Sequence, residues 1–464
     1  MPAAFAYLML FDLGSNSTCL AQRAAAEIAR FLANLSMHPM PNRLRLPERH
    51  EVLNSRIEQF SSAARPGRLS LALQVGGDPV FLDYRGSGTL QIIENARTPL
   101  VPACCLTKPL TASLLAEAVG VGRLEWAARI NDVLEVSGAA GDKLAGITFS
   151  HLLSHTHGLD ASAITVVPRD SHGFIDALAL GEQLPITPLS DPGEMYSYSN
   201  AGAWLAGAAL ERLTDTPFAQ LLSESSCALP SDVTRAGLPS PLCPATGGSL
   251  ALTAAQWLSF ANRHTNAVSL SLDPIERSLA LLRASQVSMP GWSLSEQAAC
   301  LGWKYYGEGW FGHTANLGTS IVFLRFNPIQ STQIVMWATS EIAPFGFSCL
   351  LRDYCPELKN LSFPRLLTRA ESDALRLEMY VGTYAQAKTQ IAIDRTDHGH
   401  LSCAIISDDS AQCSTPQVLQ AADNDIFFPT GKRNAALPFI QFLRSPDCKS
   451  FDRLWNGNHL WRRR

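Results

Sequence analysis

The sequence predicts an α/β protein of the α+β kind, with helices flanking an antiparallel sheet, a helical subdomain attached, and a small C-terminal β-barrel domain. Three observations lead to this fold class. Two β-rich runs at residues 69–86 form a hairpin pattern, a helical block follows, and β-rich runs return from Leu301 onward. Strands at both ends of a domain that enclose helices favour a single sheet with those helices packed against it.

The individual helices follow from local spacing. Residues 20–36 have apolar positions at helical intervals, and the Pro-rich stretch after them breaks the pattern. A second helix is predicted near Val52 to Ser62, and another after "ACCLTK" (103–108), where Pro109 is tolerable only in a first turn. Cys105 is therefore expected at a helix start. Thr253 and Gln256 have the spacing of a capping box, which predicts a further helix start.

The strands follow from β-rich runs bounded by turn residues. "SIVFLRF" and "QIVMWATS" are joined by a polar loop at Asn327 and Pro328. From "LEMYVGTYAQ" onward, short β-rich runs alternate with Gly, Asp and Asn turns, which is typical of a small barrel or sandwich. The aromatic cluster at residues 303–310 fits core packing and a cleft wall equally well.

Length and composition set the domain count and exclude some functions. A chain of 464 residues exceeds what one hydrophobic core usually serves, so we predict an N-terminal helical extension at 1–45, a catalytic domain at 46–360 and a barrel at 372–464. The net charge of -4 gives no basic footprint for nucleic acid. The apolar start of the chain meets Asp12 too early to span a bilayer, so we expect no membrane partner.

The cysteines indicate a reducing compartment. There are 11 of them, with no C-x-x-C spacing, which fits neither a disulfide framework nor a zinc site. We therefore predict a cytoplasmic protein without a cofactor. His155, His157 and Asp160 nearly match the H-x-H-x-D-H pattern of binuclear zinc hydrolases, but the aspartate is one place late and no final histidine follows. A structural role for "HTHGLD" is favoured over a metal site.

Four separated stretches carry the candidate chemistry: "CCLTKPLTA", "ITFSHLLSHTHGLD", "YSYSN" and "GHTANLG". In this order they resemble the S-x-x-K, S-H-T-S-G, Y-x-N and H-T-G or K-T-G motifs of the β-lactamase-related serine hydrolase family, which includes class C β-lactamases and penicillin-binding proteins. The resemblance covers roughly residues 46–345 and implies a β-lactamase/transpeptidase-like fold. The segment starting at "YVGTY" is similar to the lipocalin-like barrel that some members carry.

The resemblance also implies roles for individual residues. Cys105 stands where the family has its nucleophilic serine, and Lys108 is the basic partner. Tyr198 is the second proton carrier, and Asn200 orients the lysine and the substrate. From the third motif, His313 and Thr314 line the substrate site, and the backbone N–H of Asn316 joins that of Cys105 in an oxyanion hole. Ala315 departs from the pattern, because the family has glycine there.

A cysteine at position 105 changes what its partner must do. Residues three apart share one face of a helix, so Lys108 can reach the side chain of Cys105. A thiol has a reference pKa of about 8.5, whereas a serine hydroxyl needs a strong neighbouring base. An ammonium about 4 Å away contributes roughly 4 kcal/mol at an effective dielectric near 20. We therefore expect a resting thiolate and ammonium pair.

Two classes of function fit these motifs. The first is an acyl-transferring enzyme that forms a Cys105 thioester from an ester, thioester or amide of a small molecule or a carrier-protein-bound acyl chain, as a biosynthetic acyltransferase or as a hydrolase or thioesterase. The second is a catalytically inactive β-lactamase-like binding protein, because a serine-to-cysteine exchange often cripples an enzyme built for a hydroxyl. An engineered exchange gives the same pattern.

The expected thiolate makes Cys105 the fastest-reacting cysteine in the folded chain. Iodoacetamide at pH 6 to 7 should label it well before the other cysteines, because the thiolate is the nucleophilic form. Peptide mapping by mass spectrometry at short times measures the order of labelling. Slow labelling of Cys105 in folded protein would contradict the pair.

Overall fold

A computed structural model of the chain provides the fold, and it describes most of the chain from residue 67 onward. The described residues are 51, 53–55, 57, 67–86, 88–95, 98–159, 189–229, 242–293, 295–316, 320–339, 364–386, 389–407, 412–430, 439–445, 450–457 and 459–464. The predicted N-terminal extension at 1–45, including its helix, lies outside the described residues.

The first sheet has nine antiparallel strands in the order β3-β2-β1-β11-β10-β9-β8-β7-β6. Its strands are β1 (Arg68–Val75), β2 (Val80–Arg85), β3 (Gln91–Ile93), β6 (Ser285–Ser288), β7 (Ala298–Cys300), β8 (Lys304–Gly307), β9 (Trp310–Asn316), β10 (Ser320–Asn327) and β11 (Thr332–Thr339). Strand β1 pairs with β11, with Leu71 opposite Met336. This pairing confirms the prediction that strands from both ends of the domain form one sheet. A separate two-stranded sheet joins β4 (Leu100–Pro102) to β5 (Ala251–Thr253).

Helices fill the interval between the two groups of strands. Those within the described residues are α1 (Thr107–Gly120), α2 (Ile130–Leu134), α3 (Gly138–Leu144), α4 (Phe149–Leu153), α5 (Asn200–Thr214), α6 (Phe218–Glu224), α7 (Ala254–Asn266) and α8 (Pro274–Leu281). The Thr253 hydroxyl accepts from the Gln256 N–H, and the Gln256 side chain accepts from the Thr253 N–H. The predicted capping box is therefore confirmed. Helix α7 lies against the sheet, and its buried Trp257 joins the main hydrophobic core.

Helix α1 is the element that brings the candidate motif into this core. Cys105 lies in a short 3-10 turn, Cys104–Leu106, that runs directly into α1, as the sequence predicts. The turn is fixed from outside because the N–H of Ala103 donates to the carbonyl of Leu250 at 2.9 Å. Most of α1 is buried, and strand β9 packs against the 3-10 turn. The motif is thereby held between a helix and a sheet edge.

A second sheet closes into a barrel of eight strands, with a ninth short strand attached to it. The predicted C-terminal β-barrel is confirmed, because pairing of β13 with β14 completes the ring. After a short helix, α9 (Arg369–Asp373), its strands are β12 (Gly382–Gln386), β13 (Thr389–Arg395), β14 (Leu401–Ser407), β15 (Gln412–Cys413), β16 (Gln417–Ala421), β17 (Ile426–Pro429), β18 (Ile440–Arg444), β19 (Phe451–Trp455) and β20 (Leu460–Arg463). Aromatic rings, among them Tyr380, Tyr384 and Phe442, pack together in a buried cluster of this barrel.

Hydrophobic length does not favour membrane insertion of the described helices. Within the described ranges, we find no helix that is both long enough and apolar enough to cross a bilayer.

The close approach of β9 to β10 gives a test of the sheet. A Cβ at Gly312 would lie 2.1 Å from the Leu324 carbonyl oxygen, so Gly312→Ala must push the two strands apart. We expect a loss of about 1–3 kcal/mol in the free energy of unfolding, measured by urea denaturation. Gly77→Ala is the matched control, because the nearest heavy atom to its added Cβ is 3.9 Å away. Equal stability of the two variants would contradict the observed strand spacing.

Candidate functional site

The amino group of Lys108 joins the candidate residues of three separate motifs. Its Nζ donates to Tyr198 Oη at 2.6 Å, to Asn200 Oδ1 at 2.7 Å and to the Ala245 carbonyl at 3.0 Å. An ammonium carries three N–H bonds, so these acceptors satisfy it completely. Lys108 is only 3% exposed, and its alkyl stem lies in the first turn of α1.

Cys105 lies beside this group and is half-buried. Its thiol lies close enough to Lys108 and Tyr198 to raise the pKa values of both side chains. The sequence spacing therefore places the thiol and the amine together, as predicted. Cys104 has a φ of 44°, in the left-handed region, and packs partly against the main core. Burial raises the pKa of the Cys104 thiol to about 11, which keeps this second thiol protonated near neutral pH.

Burial sets the charge states of the two proton carriers. It lowers the pKa of Lys108, while the neighbouring Cys105 raises it. Burial raises the pKa of Tyr198 well above its ordinary value, and Cys105 adds to this effect. A phenol that stays protonated can donate its proton, and a lysine with a lowered pKa can exchange one. The pair can therefore move protons at the Cys105 sulfur.

The segment that carries Tyr198 is irregular and is fixed by His155. The N–H of Ser199 donates to His155 Nδ1 at 3.2 Å, and the N–H of Ser197 donates to the His155 carbonyl at 2.9 Å. The Ser199 side chain caps α5, which places Asn200 in the first position of that helix. Burial lowers the pKa of His155 well below its usual range, so the ring is neutral and can accept this bond.

These bonds support the structural interpretation of the "HTHGLD" stretch. His157 is also buried, and its Nδ1 accepts from the N–H of Leu159 at 3.1 Å. Across the described residues, no group of three or more His, Cys, Asp or Glu side chains is arranged to hold a metal ion. Asp160 of this stretch lies outside the described residues.

Strand β9 brings His313 to the same site. The ring of His313 lies 6.3 Å from the Tyr198 ring between centroids, and its Nδ1 is 3.0 Å from the Thr314 carbonyl. Burial lowers the pKa of His313 well below its usual range, and Lys304 and Lys108 add to this effect. His313 is therefore a neutral ring beside Tyr198.

Thr314 and Asn316 have different surroundings. The Thr314 hydroxyl accepts from Arg325 Nη2 at 3.2 Å. It is therefore already bonded to a protein group, and its contact with substrate stays a prediction. Asn316 ends β9, is exposed and pairs with Ile321. Its predicted role as an oxyanion donor also stays a prediction.

Two buried charges near the site are not identified by sequence reasoning. Arg325 lies under the Tyr306 ring, 3.6 Å from its centroid, and donates to the His313 carbonyl at 3.1 Å. Lys304 Nζ lies 3.1 Å from Glu296 Oε1 and 5.8 Å from the Tyr198 ring centroid. The continuous apolar run around Arg325 in β10 could have marked it as buried, but no local signal pairs Lys304 with Glu296.

The aromatic cluster around these charges is mostly core. The side chains of Trp303, Tyr306 and Trp310 are buried, and Tyr305 is half-buried. Trp303 packs against His264 and Phe326. The sequence fitted core packing and a cleft wall equally well, and three of the four side chains are part of the core.

The fold and the Cys105, Lys108 and Tyr198 arrangement define a protein of the β-lactamase/transpeptidase class. Residues 53–347 match the sequence profile of the β-lactamase family, and this range is more than half of the chain. The chain therefore belongs to the β-lactamase family, whose members are hydrolases and acyl-transferring enzymes.

Solved structures with the same fold extend over most of the chain. SurE, solved with D-Leu, has a TM-score of 0.65 and 20% identity, covering 90% of this chain and 99% of SurE. The D-alanine carboxypeptidase AmpC from Burkholderia cenocepacia has a TM-score of 0.51 and 17% identity, over 68% of this chain and 99% of that protein. A penicillin-binding protein homologue from Pyrococcus abyssi, which is octameric, has a TM-score of 0.53 and 14% identity, over 89% and 99%. At these identities, the likeness shows the fold alone.

A curated relative matches a smaller part of the chain. The putative fimbrial assembly protein FimD, serogroup D, of Dichelobacter nodosus is 29% identical over 132 residues, which is 28% of this chain. The chain spans 32% of the length of that relative.

The Lys304 and Glu296 pair predicts a pH-dependent contribution to stability. Burial raises the pKa of Glu296, but Lys304, the Ser293 hydroxyl and Arg325 together outweigh it and lower the pKa from 4.5 to about 2. The folded carboxyl thus has the lower pKa, so its contribution is present above about pH 4.5 and is lost as the pH falls towards 2.

We therefore expect Glu296→Gln to lower the free energy of unfolding most above pH 5, by roughly 3–5 kcal/mol, because Lys304 loses its counter-charge. The difference in the free energy of unfolding between the variant and the unsubstituted chain should narrow by up to about 1.4 kcal/mol per pH unit below pH 4.5. Urea unfolding between pH 6 and pH 3 measures it. The control is Glu125→Gln at an exposed site, and a difference that stays constant with pH would contradict the prediction.

Proposed function

We propose that the chain is an acyl-transferring enzyme whose nucleophile is the Cys105 thiol. It attacks the carbonyl of an ester, thioester or amide in a small molecule or a carrier-bound acyl chain. The observation that carries the proposal is the group formed at the start of α1, where Lys108 Nζ donates to Tyr198 Oη at 2.6 Å and the Cys105 thiol is close enough to shift the pKa values of both. A nucleophile within reach of two proton-transferring groups is what covalent catalysis requires.

The proposed reaction has two steps. In the first, the Cys105 thiolate, paired with the Lys108 ammonium, attacks the carbonyl carbon, and collapse of the oxyanion expels the leaving group, which takes a proton from Tyr198. The product of this step is a Cys105 thioester. In the second, Tyr198 accepts a proton from the acceptor as it attacks the thioester, and the sulfur leaves as a thiolate, which restores its pair with the Lys108 ammonium. The backbone N–H groups of Cys105 and Asn316 are the proposed oxyanion donors.

The remaining groups of the site act on these residues. Asn200 accepts from Lys108 and so fixes the direction of the amine. Neutral His313 lies next to Tyr198 and is the proposed wall of the acyl site. Thr314, which Arg325 holds, is proposed to contribute through its position on β9.

We favour transfer to an amine, thiol or alcohol over simple hydrolysis. A thioester keeps enough group-transfer potential to acylate such acceptors, and a hydrolase gains little from sulfur. The names of two fold neighbours supply a first substrate class to test, since SurE was solved with D-Leu and AmpC is a D-alanine carboxypeptidase. Esters and thioesters of peptides that end in a D-amino acid are the proposed starting probes.

A reducing, cytoplasmic setting suits this nucleophile. Each cysteine in the part of the chain that the structure describes is free, from Cys104 to Cys413. A free thiol at position 105 persists most readily where glutathione and thioredoxin keep cysteines reduced.

The second candidate is a binding protein that retains the cleft without turnover. Two substitutions favour it, namely Cys105 in place of the family serine and Ala315 in place of the family glycine. In that case the Cys105 thiol would form no covalent adduct with activated acyl groups.

Intact-mass spectrometry separates the two candidates. After incubation with p-nitrophenyl esters and with acyl thioesters, we expect a single acyl adduct on Cys105 that decays faster when an amine acceptor is added. Cys105→Ala should form none, and Cys105→Ser should form it at least about 100-fold more slowly, because a hydroxyl needs a stronger base than a thiol. Absence of an adduct in the unsubstituted chain would support the binding protein instead.

A further inference from the structure

The segment that carries Tyr198 is held by two parts of the molecule. Residues 189–199 contain no helix or strand. On one side, the bonds to His155 described above fix the backbone at Ser197 and Ser199. The other side faces the hairpin of β19 and β20 in the barrel. The position of the Tyr198 hydroxyl therefore depends on a contact between the catalytic sheet region and the barrel.

The barrel hairpin contacts this segment at successive residues. Arg453 Nη1 lies 3.0 Å from Glu194 Oε1, and the N–H of Leu460 donates to Ser197 Oγ at 3.3 Å. The ring of Trp455 meets that of Tyr196 edge-on, with 6.0 Å between centroids. Met195, Tyr196 and Tyr198 belong to the same hydrophobic cluster as Trp455 and Leu460 of the hairpin.

His459, in the turn of the hairpin, reaches Tyr198 itself. The two rings are 6.2 Å apart between centroids, at 70°. The backbone of Tyr198 raises the pKa of His459, which is the effect of a carbonyl oxygen that faces the imidazole. Nδ1 has no partner among the described residues, which leaves Nε2 as the donor. Burial lowers the pKa of His459 to about 4, so the ring is neutral and carries one N–H.

We infer that His459 is a positioning residue, through which the barrel holds the Tyr198 hydroxyl against Lys108 and Cys105. It touches neither the thiol nor the amine, and it acts by fixing the Tyr198 carbonyl. The inference rests on the proposed function of the site. A hydroxyl that must stay 2.6 Å from Lys108 Nζ tolerates little displacement, since a shift of about 1 Å can reduce a rate by about 100-fold.

The inference predicts different results for two substitutions at this position. Glutamine carries an amide N–H at about the place of the imidazole Nε2, whereas asparagine is one methylene shorter and cannot reach. We expect His459→Asn to lower the rate of Cys105 acylation by roughly 10- to 100-fold with little change in KM. His459→Gln should recover most of that rate. His398→Gln, in an exposed turn of the barrel, is the matched control and should behave as the unsubstituted chain.

A second readout needs no acyl substrate, which separates this inference from the proposed function. Tyr198 lies close enough to Cys105 for the thiol to raise its pKa, so displacement of Tyr198 should slow iodoacetamide alkylation of Cys105 in His459→Asn at pH 7 and leave His459→Gln near the original rate. If the unsubstituted chain forms no acyl adduct but this order of alkylation holds, only the proposed function fails. Equal alkylation in all four proteins overturns the inference. Equal slowing in both His459 variants, matched by equal losses in Tm, also overturns it, since that indicates packing alone.

Discussion

The hydrogen bonds of the Lys108 amino group are the constraint on which the arrangement of the site depends. They tie the first turn of α1 to Tyr198, to the start of α5 at Asn200 and to the loop at Ala245. A buried amine without these acceptors would carry a large desolvation cost, so the site and the packing of these three regions stabilise each other. Cys105 is reached by the same amine, which means that the chemistry of the thiol depends on the same packing.

Neutral imidazoles surround this amine, and they limit the positive charge of the site. Burial lowers the pKa values of His155, His313 and His459, so three rings near Tyr198 donate or accept hydrogen bonds without adding charge. The neighbouring ammonium of Lys304 is neutralised by Glu296. Lys108 is then the cation closest to Cys105 for which we find no carboxylate within the described part of the chain, which suits an arrangement in which thiol and amine exchange a proton.

Local patterns predicted the parts of this structure that depend on short stretches of chain. The hairpin of β1 and β2, the capping box at Thr253 and the contact between Cys105 and Lys108 each arise within a few residues, where propensity and helical spacing decide. Tyr198 and Asn200 were found through a resemblance of motifs. The ion pair of Lys304 with Glu296 and the contact of His459 with Tyr198 could not be predicted, because no periodicity specifies which distant elements meet. The hydrogen bond from Arg325 to the Thr314 hydroxyl could not be predicted either, because it depends on the register between β9 and β10.

The Tyr198 segment and the β19–β20 hairpin that contacts it lie far apart along the chain, which has a consequence for biosynthesis. Leu460 and Ser197, which bond to each other, are separated by 263 residues. At about 5–20 residues per second, a ribosome needs roughly 10–50 s to make that interval. During this time the nascent chain already contains its reactive sulfur but not the hairpin that aligns the phenol. Full reactivity therefore arises late in translation, after the barrel has closed, which limits premature acylation of an unfinished polypeptide.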